Sequence, residues 1–156
     1  MDALIKEIID PEAKRLLARE VLDDLPEWFG IPASTEAYIR DAQNMPFLAC
    51  FVDHKVAGFI VLKASSQDCA EVFVMGVKKQ FQGMGLGAKL HQAFEEQAKT
   101  YGYTFAQVKT VQLGKYSEYD RTNLFYQAMG YKELECFPNL WGEANPCQIY
   151  VKYLGG

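Results

Sequence analysis

Apolar residues recur at helical spacing near the start of the chain, with charged residues between them. Residues 11–22 are therefore predicted to form an amphipathic helix. Two prolines and a glycine interrupt this pattern between residues 26 and 32. A second helix is predicted from Ser34 or Thr35, either of which is a suitable N-cap, to about residue 43.

A different pattern follows, in which short runs of β-branched and aromatic residues are bounded by turn residues. Residues 47–52 and 56–63 flank a polar turn and are predicted to form a β-hairpin. Residues 70–77 form a third apolar strand after a polar loop. Because the connections are short, these three strands are predicted to be antiparallel neighbours.

The second half of the chain alternates between helical and strand patterns. One helix is predicted from Leu86 to a terminating Gly102, and another from about Asp120 to Met129, closed by Gly130. Further strands are predicted at residues 4–8, 105–111, 131–137 and 147–153.

Together these elements predict an α/β chain with a mixed, mostly antiparallel sheet of six to seven strands and helices on both faces. Residues 105–111 follow a helical crossover from residues 70–77, so these two strands are predicted to be parallel.

Three alternating glycines, Gly83, Gly85 and Gly87, lie between the strand at 70–77 and the helix that begins near Leu86. A glycine lets the backbone turn sharply and approach a ligand closely. The first amides of a helix have no partner within it, and with the helix dipole they form a site suited to phosphates. The alternative is that the glycines serve only the tight turn.

Two other phosphate-binding motifs are relevant to the same stretch. The P-loop pattern G-x-x-x-x-G-K-[ST] does not occur in the chain. Gly83-x-Gly85-x-x-Ala88 fits the loose dinucleotide fingerprint, but the strand at 105–111 lacks the acidic residue expected to bind the ribose. A nicotinamide site is therefore not expected.

The stretch from Val77 to Leu90 resembles the acetyl-CoA signature of the GNAT superfamily of N-acetyltransferases. Its core, [QR]-x-x-G-x-[GA], is satisfied by Gln82, Gly85 and Gly87. The later stretch Phe125-Tyr126-Gln127-Ala128-Met129-Gly130-Tyr131 is similar to the "FYxxxGF" element of that family. The resemblance implies a single acetyltransferase domain over residues 1–156, with a splayed parallel pair at the centre of the sheet and acetyl-CoA as co-substrate.

The resemblance also implies a set of cofactor contacts. Backbone groups of Val74, Met75 and Val77 would pair with the pantetheine arm. The pyrophosphate would be held by the amides of Gln82, Gly83, Met84, Gly85, Leu86, Gly87 and Ala88.

Catalytic roles are implied by the same family pattern. Tyr126 stands at the family tyrosine that approaches the CoA sulfur, so it is the expected general acid; the alternative is a packing residue with a hydrogen-bonded hydroxyl. Glu71 is the expected base, because a carboxylate on an apolar strand is costly to bury unless paired or functional. The alternatives are that Glu71 lies solvated at the strand start, or that Glu118, Asp120 or water is the base.

Strand alternation provides one further expectation about the position of this carboxylate. It places Glu71, Phe73 and Met75 on one face of the sheet, and Val72 and Val74 on the other.

Aromatic residues in the loop after the first helix and in the late loops are candidates for binding the acceptor: Trp28, Phe29, Tyr116, Tyr119 and Trp141. They could enclose an amine through cation–π contacts or close the open end of the core. Tyr119 departs from the family, which often has an asparagine there that contacts the cofactor.

Composition narrows the class of protein. The 156 residues are 49% apolar and 23% charged, as expected of one globular domain. The net charge of −4 argues against a basic surface for nucleic acid. Four scattered cysteines and two histidines form no ligand cluster, so no metal site is expected. No leader or membrane span is seen, which predicts a cytoplasmic protein without a membrane partner.

The predicted function is therefore transfer of an acetyl group from acetyl-CoA to a primary amine of a small molecule or protein. A non-catalytic acyl-CoA-binding module is the alternative, and O-acyl transfer or a longer acyl donor stays open. A homodimer is possible, with residues 147–153 as a strand edge available for it.

Overall fold

The computed structural model describes residues 2–155, which form four α-helices and a sheet of seven strands. The helices are α1 (Pro11–Asp23), α2 (Pro32–Ala42), α3 (Leu86–Thr100) and α4 (Ser117–Ala128), and the strands are β1 (Ala3–Ile8), β2 (Phe47–Val52), β3 (Lys55–Ala64), β4 (Cys69–Val77), β5 (Phe105–Val111), β6 (Lys132–Phe137) and β7 (Cys147–Tyr153). A single 3₁₀ turn, Lys79–Phe81, follows β4. In the part of the chain that the structure describes, no helix is long and apolar enough to cross a membrane.

The strand order is β1-β2-β3-β4-β5-β7-β6, and among the described residues the only parallel neighbours are β4 and β5. The prediction of a mixed, mostly antiparallel sheet is confirmed. The prediction that residues 147–153 form a free edge is wrong, because β7 pairs with β5 on one side and β6 on the other. The β6–β7 hairpin folds back so that its second strand lies beside β5. A dimer built on a strand edge would have to use β1 or β6.

Two apolar cores lie on opposite faces of the sheet, which confirms helices on both faces. One core contains Leu86, Leu90, Phe94 and Ala98, spaced four apart along α3, and Tyr126 of α4. The other core lies under α1 and α2 and is formed by their buried residues, among them Val21, Leu22 and Ile39. Amphipathic spacing in the sequence therefore identified the buried faces of these helices.

Helix ends follow local chemistry, with two differences from expectation. α2 begins at Pro32 instead of Ser34 or Thr35, because proline at the first position already has the helical φ. The Thr35 hydroxyl does not cap the start of α2 and instead donates to the Phe29 carbonyl at 3.1 Å. α4 begins at Ser117, three residues before the predicted start.

A β-bulge in β4 changes which side chains share a face. Val61 pairs with Val74 and Leu62 pairs with Val72, so Phe73 is an extra residue opposite this step of β3. Val72 therefore packs in the α3 core and Val74 in the α1–α2 core. The predicted common face for these two valines is wrong.

The same bulge separates the other predicted set. Phe73 packs against the α1–α2 core, whereas Met75 packs against the α3 core. The predicted shared face of Glu71, Phe73 and Met75 is wrong for Met75, since simple alternation fails at an inserted residue.

The parallel pair at the centre of the sheet separates along its length. β4 and β5 pair only at Cys69–Phe105, Ala70–Ala106 and Glu71–Gln107. From Val72 onward β4 has no partner on that side, although β5 continues to pair with β7. The expected splay is confirmed, and it opens a cleft in the sheet.

Candidate functional site

A cleft of about 1010 Å³ occupies the gap between the splayed strands. Its floor is formed by residues 72–77 of β4 and 108–111 of β5. Its walls come from the α1–α2 loop, the start of α3, one side of α4 and the β6–β7 loop. Nearly all the predicted site residues are brought together here, and they come from five of these six segments, since β5 carries none.

Gly83 and Gly85 are glycines because of their backbone conformation. Their φ angles are 79° and 77°, in the left-handed region that other residues rarely adopt. A Cβ added at either position would meet nothing within 4 Å, so the space beside them is open. Both residues line the cleft, and the loop therefore leaves room for a ligand against its backbone.

The amides from Gly83 to Ala88 have no protein acceptor within residues 2–155. The amides on either side of this run are bonded. Lys89 donates to the Gly85 carbonyl at 3.2 Å, and Gln82 donates to the Lys79 carbonyl at 3.2 Å, so the prediction of a free Gln82 amide is wrong. Free amides at the positive end of a fifteen-residue helix are an arrangement suited to an anion. Gln82 closes the loop against β4, since its Nε2 donates to the Val77 carbonyl at 2.9 Å.

Gly87 has a different reason to be glycine. It lies inside α3, and an added Cβ would be 3.3 Å from Cε1 of Phe125. It therefore permits close packing of α3 against α4. The sequence pattern alone did not distinguish this role from that of Gly83 and Gly85. The Met84 side chain is 47% exposed and does not line the cleft. Only the backbone amide of Met84 is therefore a candidate for binding an anion.

The backbone of Val74, Met75 and Val77 lines the cleft beyond the last β4–β5 pair. These residues pair with β3 on one side only, so their other backbone edge faces the open gap. An extended ligand can pair with such an edge as an added strand would.

Tyr126 lies in the wall opposite this edge. Its side chain is 4% exposed and packs edge-on against Phe125 and Tyr131 at ring distances of 5.2 and 5.5 Å. The hydroxyl has no hydrogen-bond partner among residues 2–155, yet its oxygen is not fully enclosed by protein. Because Tyr126 lines the cleft, the hydroxyl opens on it. Burial raises the pKa of this phenol, which keeps it protonated at neutral pH.

Glu71 lies at the point where β4 and β5 separate, and it is 6% exposed. Its Oε1 accepts hydrogen bonds from the Ser65 hydroxyl at 2.9 Å and from Gln107 Nε2 at 3.0 Å. Lys109 Nζ lies 3.6 Å from the same oxygen. The alternative of a solvated carboxylate is wrong, but Glu71 stands behind Lys109 and does not line the cleft.

The other candidate bases occupy different positions. Glu118 lines the cleft in the first turn of α4. Asp120 does not line it, and its Oδ1 accepts the Gly114 amide at 2.6 Å. Of the three predicted carboxylates, Glu118 alone faces the cavity.

All five aromatic residues predicted to bind the acceptor line the cleft: Trp28, Phe29, Tyr116, Tyr119 and Trp141. The Trp28 indole donates to the Glu118 carbonyl at 3.1 Å and to the Thr122 hydroxyl at 3.2 Å. The Tyr119 hydroxyl donates in return to the Trp28 carbonyl at 2.8 Å. Residues ninety positions apart in the sequence thus meet across the cleft.

Sequence reasoning missed several cleft residues. Tyr38, Lys109 and Arg121 were not singled out, although all three line the cavity. A lysine within an apolar strand is as informative as Glu71 and could have been found by the same reasoning. Arg121 gave no signal, because its contact with the Trp28 ring at 5.6 Å depends on tertiary structure.

No group of three or more histidine, cysteine or acidic side chains arranged to hold a metal ion is found within residues 2–155.

Near the glycine loop, Lys78 pairs with Glu20, and Lys79 Nζ pairs with Glu27 at 2.6 Å. Both lysines therefore already form ion pairs with neighbouring carboxylates.

Solved structures share this fold over nearly the whole chain. A GNAT-family protein from Desulfovibrio desulfuricans superposes with a TM-score of 0.82 at 16% identity, covering 99% of this chain and 100% of that one. An aminoglycoside 6'-N-acetyltransferase complexed with coenzyme A gives 0.77 at 18% identity, with 98% of each chain covered. The ribosomal-protein-S18-alanine N-acetyltransferase from Escherichia coli gives 0.74 at 14% identity, with 99% and 96% covered.

No curated protein matches the chain in sequence. The family model for the GNAT acetyltransferases, in contrast, matches residues 11–131, from the start of α1 to the end of the turn after α4. Together with the splayed strands and the glycine loop, this match shows that the chain belongs to the GNAT acetyltransferase family.

Proposed function

We propose that the protein transfers an acetyl group from acetyl-CoA to a primary amine. The observation that carries this proposal is the run of free amides from Gly83 to Ala88, which borders the cleft between the splayed strands. A diphosphate fits such a run because each amide donates a hydrogen bond to an anionic oxygen. The neighbouring fold that holds coenzyme A supports the same cofactor.

In this arrangement the pyrophosphate binds the amides from Gly83 to Ala88, and the pantetheine arm pairs with the open edge of β4 at Val74, Met75 and Val77. The thioester then lies between that edge and Tyr126. The length of the cleft beyond this point is available to the acceptor.

The transfer requires a neutral amine, whose nitrogen attacks the thioester carbonyl carbon to form a C–N bond. A backbone N–H near Met75 stabilises the oxyanion of the tetrahedral intermediate. The C–S bond then breaks, and Tyr126 donates its proton to the departing thiolate. The proton lost by the amine goes to a base or to water.

Two carboxylates are candidates for that base. Glu118 lines the cleft and can receive a proton directly or through one water, so geometry favours it. Glu71 does not line the cleft and would have to act through water past Lys109, and its Oε1 already accepts hydrogen bonds from Ser65 and Gln107.

The direct test combines calorimetry of CoA binding with a thiol-release assay on a panel of primary amines. Binding of CoA and release of free thiol that depends on an added amine is the expected result. Absence of CoA binding would refute the proposal. Tight binding without turnover on any amine would instead support the non-catalytic acyl-CoA-binding module.

A further inference from the structure

We infer that the acceptor is a small monoamine with a flat apolar body, held in an aromatic slot that Trp28 closes. This inference rests on the proposed function and specifies the substrate class of the same cleft. It is carried by the geometry of the aromatic side chains, the charges on the lining and the contacts between loops.

One wall of the slot is a continuous series of three aromatic rings from the α1–α2 loop, α2 and β4. Phe29 and Tyr38 meet edge to face at 6.0 Å and 90°. Tyr38 and Phe73 meet at 5.3 Å and 69°. Phe73, the extra residue at the β-bulge described above, packs on this side of the sheet, and all three rings line the cleft.

The opposite wall contains Tyr116 and Tyr119, whose rings meet at 6.0 Å and 65°. Trp28 joins the two walls, since its indole and its carbonyl both bond to the first turns of α4. Trp141 from the β6–β7 loop also lines this end of the cleft. Aromatic walls of this kind bind flat apolar groups and attract the charge of an approaching ammonium.

The charges on the lining argue against an acceptor with several positive charges. Within the described chain, the charged residues that line the cleft are two acids and two bases: Glu27, Glu118, Lys109 and Arg121. Glu27 is already paired with Lys79. Glu118 is then the one cleft carboxylate outside an ion pair, which suits one amine and not a polycation.

The loop contacts argue against a folded protein acceptor. The α1–α2 loop is bonded to α4 through Trp28 and Tyr119 across the cleft. The β6–β7 loop is bonded at the same end, where the Tyr116 hydroxyl donates to the Ala144 carbonyl at 3.5 Å. Three segments therefore cover the acceptor end, and a polypeptide would have to break these bonds to enter.

The test measures acceptor binding separately from chemistry, by calorimetry on the protein saturated with CoA. The probes are 2-phenylethylamine, the polycation kanamycin and a lysine-containing decapeptide. We expect 2-phenylethylamine to bind roughly tenfold more tightly than either of the others. Equal or tighter binding of kanamycin or the peptide would overturn the inference.

A variant pair assigns the binding to the aromatic wall. Tyr38→Leu keeps an apolar side chain but removes the ring, and we expect it to weaken 2-phenylethylamine binding roughly tenfold. Tyr38→Phe should restore binding, since it restores the ring. Phe105→Leu is the matched control, because Phe105 is 41% exposed and lies outside the cleft. Unchanged binding in Tyr38→Leu would contradict the slot.

The outcomes also separate this inference from the proposed function. Binding of 2-phenylethylamine without acetylation of any amine would leave the slot standing and refute the transferase. Acetylation of kanamycin or the peptide, with no binding of 2-phenylethylamine, would leave the transferase standing and refute the slot.

Discussion

At the scale of single residues, Tyr126 combines burial with a free hydroxyl. A buried tyrosine hydroxyl is usually bonded to a protein group, whereas this one opens on the cleft without a partner among residues 2–155. Its ring is fixed by Phe125 and Tyr131. Such a phenol is held in place for an external partner, which in the proposed reaction is the thiolate.

Tyr126→Phe should therefore lower kcat by about 10² or more, because general acid catalysis contributes at least that factor. The affinity for CoA, measured by calorimetry, should stay nearly unchanged, since the ring still fills its place. Tyr153→Phe is the control, because Tyr153 is 62% exposed and outside the cleft. An unchanged kcat in Tyr126→Phe would remove this residue from the mechanism.

Glu118 and Glu71 should respond differently to replacement by glutamine. Glu118→Gln should lower kcat/KM and remove the rise of activity with pH that a deprotonated base produces. Glu71→Gln should mainly lower the midpoint of thermal unfolding, because Glu71 is the shared acceptor of Ser65, Gln107 and Lys109. Loss of the pH-dependent rise in Glu71→Gln, with Glu118→Gln normal, would reverse the assignment of the base.

His91 is a buried histidine, 1% exposed, whose Nε2 lies 2.7 Å from the Tyr131 hydroxyl. Burial lowers its pKa to about 4, and nearby Glu95 only partly opposes this. The unfolded chain therefore binds a proton between pH 6.5 and 4 that the folded chain does not. As the pH is lowered from 6.5 to 4, the free energy of unfolding should therefore decrease by about 3 kcal/mol because of this group.

Urea denaturation at pH 7 and pH 4.5 checks this expectation. His91→Gln, which cannot titrate, should flatten the loss of stability between the two pH values. His54→Asn is the matched control, because His54 is the other histidine of the chain and lies in the exposed β2–β3 turn. Equal pH slopes in the native protein and in His91→Gln would contradict the prediction.

At the scale of elements, the start of α3 differs from its end in a way that can be tested. Gly85 precedes the helix with φ 77°, and Gly102 follows it with φ 89°. A Cβ at either position meets nothing within 4 Å, so an alanine there is strained by conformation alone. Only Gly85 lines the cleft.

Gly85→Ala and Gly102→Ala should therefore each lose about 1 kcal/mol of stability, because both force a non-glycine residue into the left-handed region. Only Gly85→Ala should weaken CoA binding, since it distorts the amides that face the cleft. Calorimetry and denaturation on the two variants compare these effects directly. Equal CoA affinities in both variants would contradict a phosphate site at this loop.

Elements were predicted best where a short-range pattern is sufficient. The limits of β5 and β7 were predicted to the residue, and the terminating glycines of α3 and α4 have the expected positive φ. The bulge at Phe73 was not predictable, because an inserted residue is defined by its partner strand. The sequence of β4 contains no glycine or proline at that position to mark it.

At the scale of the whole molecule, the cleft joins segments from every part of the chain. The two tryptophans, Trp28 and Trp141, both line it although they are far apart in the sequence. They approach the same end because the sheet places the α1–α2 loop and the β6–β7 loop on either side of the splayed strands.

Binding at the acceptor end should therefore change the intrinsic tryptophan fluorescence, since the chain has no tryptophan elsewhere. A titration of the CoA-bound protein with 2-phenylethylamine should give a saturable change in emission. Trp28→Phe should reduce that change more than Trp141→Phe, because Trp28 is half-buried between the walls and Trp141 is 42% exposed. A signal that depends on Trp141 alone would place the ligand outside the slot.

The sequence by itself determined the family, the glycine loop and most of the lining of the proposed cofactor site. These depend on neighbouring residues: glycines permit a left-handed turn, and the amides that follow belong to the first turn of a helix. The tertiary structure alone decided the position of β7, the faces of β4 and the acceptor slot. Each of these depends on contacts between residues far apart in the chain, such as Trp28 with Glu118, and no local pattern specifies such contacts.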